Sequence, residues 1–568
     1  MSAMDIEAKT NTIFKKMEAN QFGTERYAIL FKPGTYKVLF DVGFYTQVAG
    51  LGRNPDDVLG KYKNISILHF KHLTLKSPLK LIFIFVATAN LSVIDGGANV
   101  PAYWMPNRNA TCNFWRSFEN FAVNASEATN NTTTIAVSQA APLRRMHIKS
   151  SGGLWLFQVD PTTGAGGWAS GGFMADSVVD HQVLPVVFVG DSNAPSQEGF
   201  PVHAYTTIGR TPICREKPYL YITNEGQYHV FSPAIQRETQ GPSWCDGVST
   251  PGKSIPIEDF YLAKPSASSA ASINAALNSG KHVLFTPGIY RFDEALRVTK
   301  ADTIILGLGQ PSLIPIRGQP VICVADVDAV TVAGLIIEAG EMNSSSLLEV
   351  GPPGSSASHA SNPTFLFDLT VRSGGATPGR NDTGITINSN DVVGDQLWLW
   401  RADHGHWASW DTNRTKNGIV VNGSNVIIYG LFNEHHQEYQ TLWNGNDGRV
   451  YFYQSEIPYD PPDQESWMNG PVNGYASYKV ADTVTNHEAW GLGIYSYFRD
   501  SPTKLENAIE VPEVEGVKLH HLTTVWLNGT AGSEISHIVN GNGDRVYANN
   551  PETAMRQTLK GFSRGNCT

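Results

Sequence analysis

Residues Lys281 to Phe292 read KHVLFTPGIYRF, and Arg26 to Val38 read RYAILFKPGTYKV. In both, a run of β-branched and aromatic residues meets Pro-Gly and then a Tyr followed by alternating residues. Proline presets φ at the first corner of a type II turn and glycine accepts the positive φ of the second, so each stretch predicts strand, tight turn, strand. The likeness runs on, since Phe44 to Gly52, FYTQVAGLG, parallels Thr299 to Gly309, TKADTIILGLG. Setting Pro33 on Pro287 gives an offset of 254 residues, and Gly52 on Gly309 gives 257. A match sustained this far with so little drift marks two related modules in one chain. Each also opens on a predicted helix, Ala8 to Asn20 (AKTNTIFKKMEAN) and Ser268 to Ser279 (SSAASINAALNS).

From about residue 300 short β-rich runs recur, among them AVTVAGLIIEAG (329–340), FLFDLTVRSGG (365–375), GIVVNGSNVIIYGLFNEHH (418–436), GRVYFYQSEI (448–457) and GVKLHHLTTVWLNG (516–529). Apolar alternation with Asn, Gly or Asp corners and almost no long helix suits an all-β chain of right-handed parallel β-helix coils, each stacked on the next. A β-sandwich array is the competing fold, but its Asn-Gly hairpin turns (Asn422-Gly423, Asn444-Gly445) are not regularly placed. The expected organisation is a first β-helix module over residues 1–200, a bridging segment over 201–265 and a second β-helix module over 266–568, the two modules side by side.

The composition fits a secreted glycan-handling protein. Only 17% of the 568 residues are charged, with 53 Gly, 13 Trp and 21 Tyr, so the surface relies on small polar and aromatic groups. A net charge of −10 argues against a nucleic-acid partner, which requires a basic face. Sequons at Asn109, Asn124, Asn343, Asn381, Asn413, Asn422 and Asn528 favour secretion and glycosylation, although the first residues, MSAMDIEAKTNTIFKKMEAN, have no apolar signal-peptide core. Of five cysteines, Cys214 and Cys245 offer a disulfide, and no spacing suggests a metal.

One stretch is unlike the rest: Asn64 to Val93, NISILHFKHLTLKSPLKLIFIFVATANLSV, is Lys-rich, Gly-free and locally very apolar. Its uncharged run is shorter than the roughly 20 residues a membrane span needs. A buried strand pair is one reading. A retained intron is the other, since Gly60-Lys61-Tyr62 can be written GGTAAGTAC, which contains a common intron start.

Hydrolysis of a glycoside needs a carboxylic acid that is protonated at working pH, which favours a carboxyl among aromatic and apolar groups. Glu488 in TNHEAWGLG meets that description, flanked by His487 and Trp490 with no cation near in sequence. Asp403 in WLWRADHGHW stands beside Arg401 and His404 and reads as an ionised partner, while Trp398, Trp400, Trp407 and Trp410 read as a sugar floor or as stacked core aromatics. Glu434 and Glu438 lie with His435 and His436, but adjacent strand residues point to opposite faces, so no metal site is expected. Asp460 in PYDPPD reads as a turn residue. The expected substrate contacts are Trp490, His487, Trp400, Asp403, His404, Glu434 and Trp443.

The motifs ILFKPGTY, VGFYTQVAGLGRNPDDV, AVSQAAPLRRMHI, WASGGFMADS, VGPPGSSASHASNPT, WLWRADHG, IPYDPPDQESWMNG and VADTVTNHEAWGLG, spread over nearly the whole chain, resemble glycoside hydrolase family 55, the β-1,3-glucanases with twin β-helices of the pectin-lyase-like superfamily. Some such relatives carry the label adenylyl cyclase, for which the sequence has neither phosphate loop nor metal-binding carboxylate pair. The resemblance implies an inverting, exo-acting glucanase with its acid in the second module, matching Glu488. It also implies polar side chains that position the water, which by motif are Gln139 in AVSQAAP and Ser170 in WASGGF. Relatives lack the Asn64 to Val93 stretch and have a longer coil where this chain has only Val178 to Val186. The expectation is thus a secreted monomeric hydrolase of polysaccharide, without cofactor or metal and with no nucleic-acid or membrane partner. A polysaccharide lyase and a non-catalytic wall-binding protein are the alternatives. A lyase of acidic sugars would need a basic cluster or Ca²⁺.

Overall fold

The computed structural model describes residues 2–55, 81–84, 92–169, 172–181, 183, 187–196, 199–202, 205–245, 250–547, 555–564 and 566–567. Most of the 64–93 stretch, Ser170 and part of 178–186 lie outside them. Leu81–Ile84 pairs in parallel with Tyr27–Phe31, and Ser92 opens the next strand, Ser92–Asn99.

The two quoted stretches fold alike. Tyr27–Phe31 leads to Gly34–Asp41, and His282–Phe285 leads to Ile289–Phe292. In each, the tyrosine hydroxyl donates back to the carbonyl four residues earlier, Tyr36 to Lys32 at 2.8 Å and Tyr290 to Thr286 at 2.9 Å. The same rings meet edge-on, Phe31 with Tyr36 at 4.9 Å and Phe285 with Tyr290 at 5.0 Å. The corners are not the type II turns expected. Gly288 has φ +156°, far from the roughly +80° such a turn requires, and Gly34 has no positive φ. Close approach explains the glycine at 288, where a Cβ would sit 2.2 Å from Pro265.

Helix α1 spans Ala3–Met17, earlier than the sequence suggested because Ser2 and Asp5 form a capping box. It packs on Gly34–Asp41, whose Leu39 N–H donates to Glu7 at 2.9 Å. Helix α2 spans Ala270–Asn278.

Nine of the described strands between Tyr27 and Val179 form one sheet, parallel throughout its described pairings, while Thr133–Thr134 and Leu154–Trp155 pair apart from it. Residues 211–256 hold short antiparallel strands. From Phe260 onward two large sheets, of 15 and 10 strands, share the chain, successive coils giving strands to both as in a parallel β-helix. One stack runs through Thr364–Ser373, Val392–Arg401, Ile427–Glu434, Gly448–Glu456, Asn486–Phe498 and Gly516–Gly529. Inward Leu, Ile and Val fill its core. At one corner asparagines bond rung to rung, Asn444 to Asn422 at 2.8 Å and Asn422 to Asn388 at 2.7 Å. Such ladders satisfy corner amides with identical neighbours and hold the coils in register.

The N-terminal sheet packs against the face of that stack through buried ions and rings. Arg144 donates to Asp368 at 2.7 Å and Asp395 at 3.0 Å, and Lys217 reaches Asp368 at 2.9 Å and Glu119. Trp115 packs on Trp398 and Trp400 at 5.6 and 5.8 Å.

Candidate active site

The parallel register places Trp400, Glu434, Glu456 and Tyr495 in one column on successive rungs of the C-terminal stack. Adjacent strands lie about 4.8 Å apart, so Glu434 and Glu456 bring two carboxyls close together on the face turned to the N-terminal sheet. From the bend before the N-terminal strand Pro142–Ile148, Gln139 crosses over: its Nε2 donates to Glu434 Oε1 at 2.8 Å and to Gln454 Oε1 at 3.1 Å. Ser138 Oγ donates to Gln139 Oε1 and so orients the amide. Trp398 Nε1 donates to the other oxygen of Glu434 at 2.9 Å.

The two carboxyls differ in access. Glu434 is 3% exposed, whereas Glu456 is only partly buried and accepts from Tyr459 Oη and, at 3.3 Å, from Gln454. Burial pushes Glu434 up to about 8. Burial, then the neighbouring charges of Glu434 and Asp403, push Glu456 well above the carboxylate range. Like charges one rung apart cannot both ionise cheaply, so the pair holds on to a proton. Asp403 behaves oppositely. Burial opposes its charge, yet hydrogen bonding from His404 Nδ1 at 2.9 Å and the nearby His435, 3.8 Å away, hold it below its usual value. The site thus combines a proton-holding pair with a fixed anion.

The structure sorts the expected site residues. Gln139, Glu434, Asp403 and His404 come together here, and Ser170 lies outside the described residues. Glu488 does not join them. It sits seven residues before Tyr495 on its strand, beyond the bend at Gly491 (φ +67°), half-exposed and bonded to His520 at 2.8 Å. No cation lies near it in sequence, but Arg449 and Lys518 flank it in register on the adjacent rungs. Trp490 stacks between Tyr451 and His520, at 4.7 and 5.2 Å, on the same remote stretch.

Three expected sugar contacts are core residues. Trp443 is fully buried against His487 at 4.8 Å. His487 bonds Tyr478 Oη at 2.7 Å and burial depresses it to about 3. Trp400 is 1% exposed in the aromatic junction between the sheets. Asp460 is bound by Arg401 through two 2.8 Å hydrogen bonds, and the expected Cys214–Cys245 bond is absent, Cys214 being a free thiol 3.5 Å from Thr239 Oγ1. Among the described residues no three His, Cys, Asp or Glu side chains converge on a metal position, and no helix is long and apolar enough to cross a membrane.

Glu456, Gln454 and Tyr459 were missed. Their signal was the coil length: Asn422 and Asn444 are 22 residues apart, and so are Glu434 and Glu456. Once the asparagine corners are aligned, the second carboxyl falls beside the first.

Comparison with known proteins places the chain among its relatives. The LAM55 pectate lyase-like domain matches residues 260–456, the span that ends on Glu456. An exo-beta-1,3-glucanase of Streptomyces sp. (strain SirexAA-E / ActE) is 44% identical over 567 residues, covering 96% of this chain and 85% of that protein. The solved structure of sacteLam55A from Streptomyces sp. SirexAA-E superposes with a TM-score of 0.85 at 41% identity, over 98% of this chain and 96% of its own. A glutamate-to-alanine variant of sacteLam55A in complex with glucose gives 0.86 at the same identity and coverage. With likeness of that degree from end to end, the chain belongs to glycoside hydrolase family 55, the β-1,3-glucanases.

Proposed function

We propose that this chain is an exo-acting β-1,3-glucanase that works outside the cell and releases glucose with inversion, on a scaffold of two right-handed β-helices side by side. The observation that carries the chemistry is the stacked pair Glu434 and Glu456 with Gln139 reaching it from the N-terminal half. Glu456 is the acid, because of the two it is the one that substrate can touch. It gives its proton to the leaving glycosidic oxygen as the C1–O bond breaks. Water held by Gln139 attacks C1 from the other face and loses its proton to solvent, while Glu434, kept neutral by burial, holds Gln139 and Trp398 in place. Asp403, ionised and partly open, accepts sugar hydroxyls. Trp168, 78% exposed and two residues before Ser170, offers its indole face to a further glucose unit.

The test is kinetic. Glu456→Gln should lower kcat on laminarin by roughly 10²- to 10⁴-fold with KM little changed, the usual share of a general acid. Glu488→Gln should stay within about twofold of wild type, as expected of a group outside the reacting pair. The reverse pattern would return the acid to Glu488. Proton NMR of the first glucose released should show the α-anomer; the β-anomer would exclude inversion.

A further inference from the structure

Phe22 enters a socket in the C-terminal stack that two glycines leave open. A Cβ at Gly375 would lie 2.8 Å from the Phe22 ring, and one at Gly405 (φ +103°) would lie 2.9 Å from it. The ring stacks parallel to Trp400 at 6.4 Å and tilts on His404 at 5.7 Å. The residue before it is pinned as well, since Tyr45 Oη donates to the Gln21 carbonyl at 2.6 Å. With its backbone held on both sides, Gln21 places its side-chain Nε2 2.6 Å from His404 Nε2.

We infer that Gln21, 383 residues away in sequence, is a positioning residue of the site: its amide fixes the Nδ1–H tautomer of His404, and His404 in turn anchors Asp403 for substrate. The inference rests on the function proposed above. An amide nitrogen has protons to give and no lone pair to offer, so His404 Nε2 must be the acceptor. A neutral imidazole with a bare Nε2 carries its proton on Nδ1, which then donates to Asp403 Oδ1 at 2.9 Å. One carboxylate oxygen is thereby held, and the other remains for a sugar hydroxyl. The other charged or titratable groups around this chain include His435, 3.8 Å from Asp403, Arg499, which donates to the Asp403 carbonyl at 3.1 Å, the Cys112 thiol and the Glu434–Glu456 pair. Among the described residues no other polar side chain bonds His404 Nε2.

The experiment uses the full chain labelled with ¹⁵N-histidine, His404 being assigned by its loss in His404→Gln. In wild type the His404 spectrum should report a protonated Nδ1 and a bare Nε2. Gln21→Met, of similar shape without a donor, should mix the tautomers and raise KM for laminarin about three- to tenfold, the worth of one hydrogen bond, with kcat within about twofold. Gln21→Glu, which presents an acceptor, should put a proton on Nε2 and raise KM at least as much. Gln21→Lys, which restores a donor, should return both tautomer and KM toward wild type. A wild-type Nε2–H, or a tautomer indifferent to all three changes, overturns the inference. Loss of activity in Gln21→Met with unchanged tautomer would assign Gln21 to packing alone. A wild-type protein with the expected tautomer but no glucose release would overturn the proposed function and leave the positioning intact.

Discussion

Glu434 holds a proton that a solvated glutamate would release, and that fact links catalysis to stability. Its carboxyl is raised from 4.5 to about 8 in the folded protein, with burial the largest cause. Between those values the folded chain binds a proton that the unfolded chain has lost, so folding stability falls as pH rises through that window. The slope is at most about 1.4 kcal/mol per pH unit for one group. Glu434→Gln removes the titration. It also leaves Trp398 or Gln139 facing an amide N–H, a cost of about 1–3 kcal/mol at every pH. Denaturant unfolding at pH 5 and pH 8 should therefore show the variant less stable than wild type at pH 5 and closer to it, or above it, at pH 8. A destabilisation that is equal at both pH values would mean that Glu434 ionises normally.

The repeated strand–corner–strand was legible because it is written in local chemistry: apolar alternation, Pro-Gly, and a tyrosine at a fixed place. The structure adds what that tyrosine does, namely to bond the corner carbonyl behind it in both copies. Tyr36→Phe and Tyr290→Phe each remove that donor and should each cost about 1 kcal/mol by denaturant unfolding. No loss in either variant would show that the hydroxyl does not hold the corner. The site was less legible because its residues are neighbours across rungs, not along the chain. Glu488 satisfied every local criterion for an acid, yet Arg449 and Lys518 arrive beside it only through register. Glu456 looked like one polar residue in a strand until the coil above it brought Glu434 into line. Trp443 and His487 failed for the opposite reason, since a β-helix core accepts aromatics that a sequence reader assigns to sugar. Gln139 reaches over from a bend in the N-terminal half, and only motif resemblance, not residue chemistry, pointed to it.

The site exists only where the two sheets meet, so whatever fixes their docking fixes the distance from Gln139 to Glu434. A buried ion cluster does this. Arg144, Arg145 and Lys217 face Asp368, Asp395, Asp176, Glu119 and Glu216, so carboxyls outnumber cations. The shortfall is met by protons: burial raises Asp395, and burial with the charge of Glu216 raises Asp176. Asp368, despite burial, is held ionised by Arg144 and Lys217. Removing Arg144 leaves Asp368 and Asp395 with one cation, Lys217, between them, and breaking a buried pair in this way costs about 3–5 kcal/mol. Arg144→Met should also make stability more dependent on pH, in a direction the charges dictate. Without the guanidinium the stranded carboxyls hold protons in the folded state more tightly than in the unfolded one, so stability falls further as pH rises. Thermal unfolding should show a larger loss at pH 8 than at pH 5. Adding Asp368→Leu to Arg144→Met should recover part of that loss at pH 8, because it removes one of the stranded charges. A loss that is the same at both pH values, and that the second substitution deepens, would show that Arg144 acts through packing rather than charge.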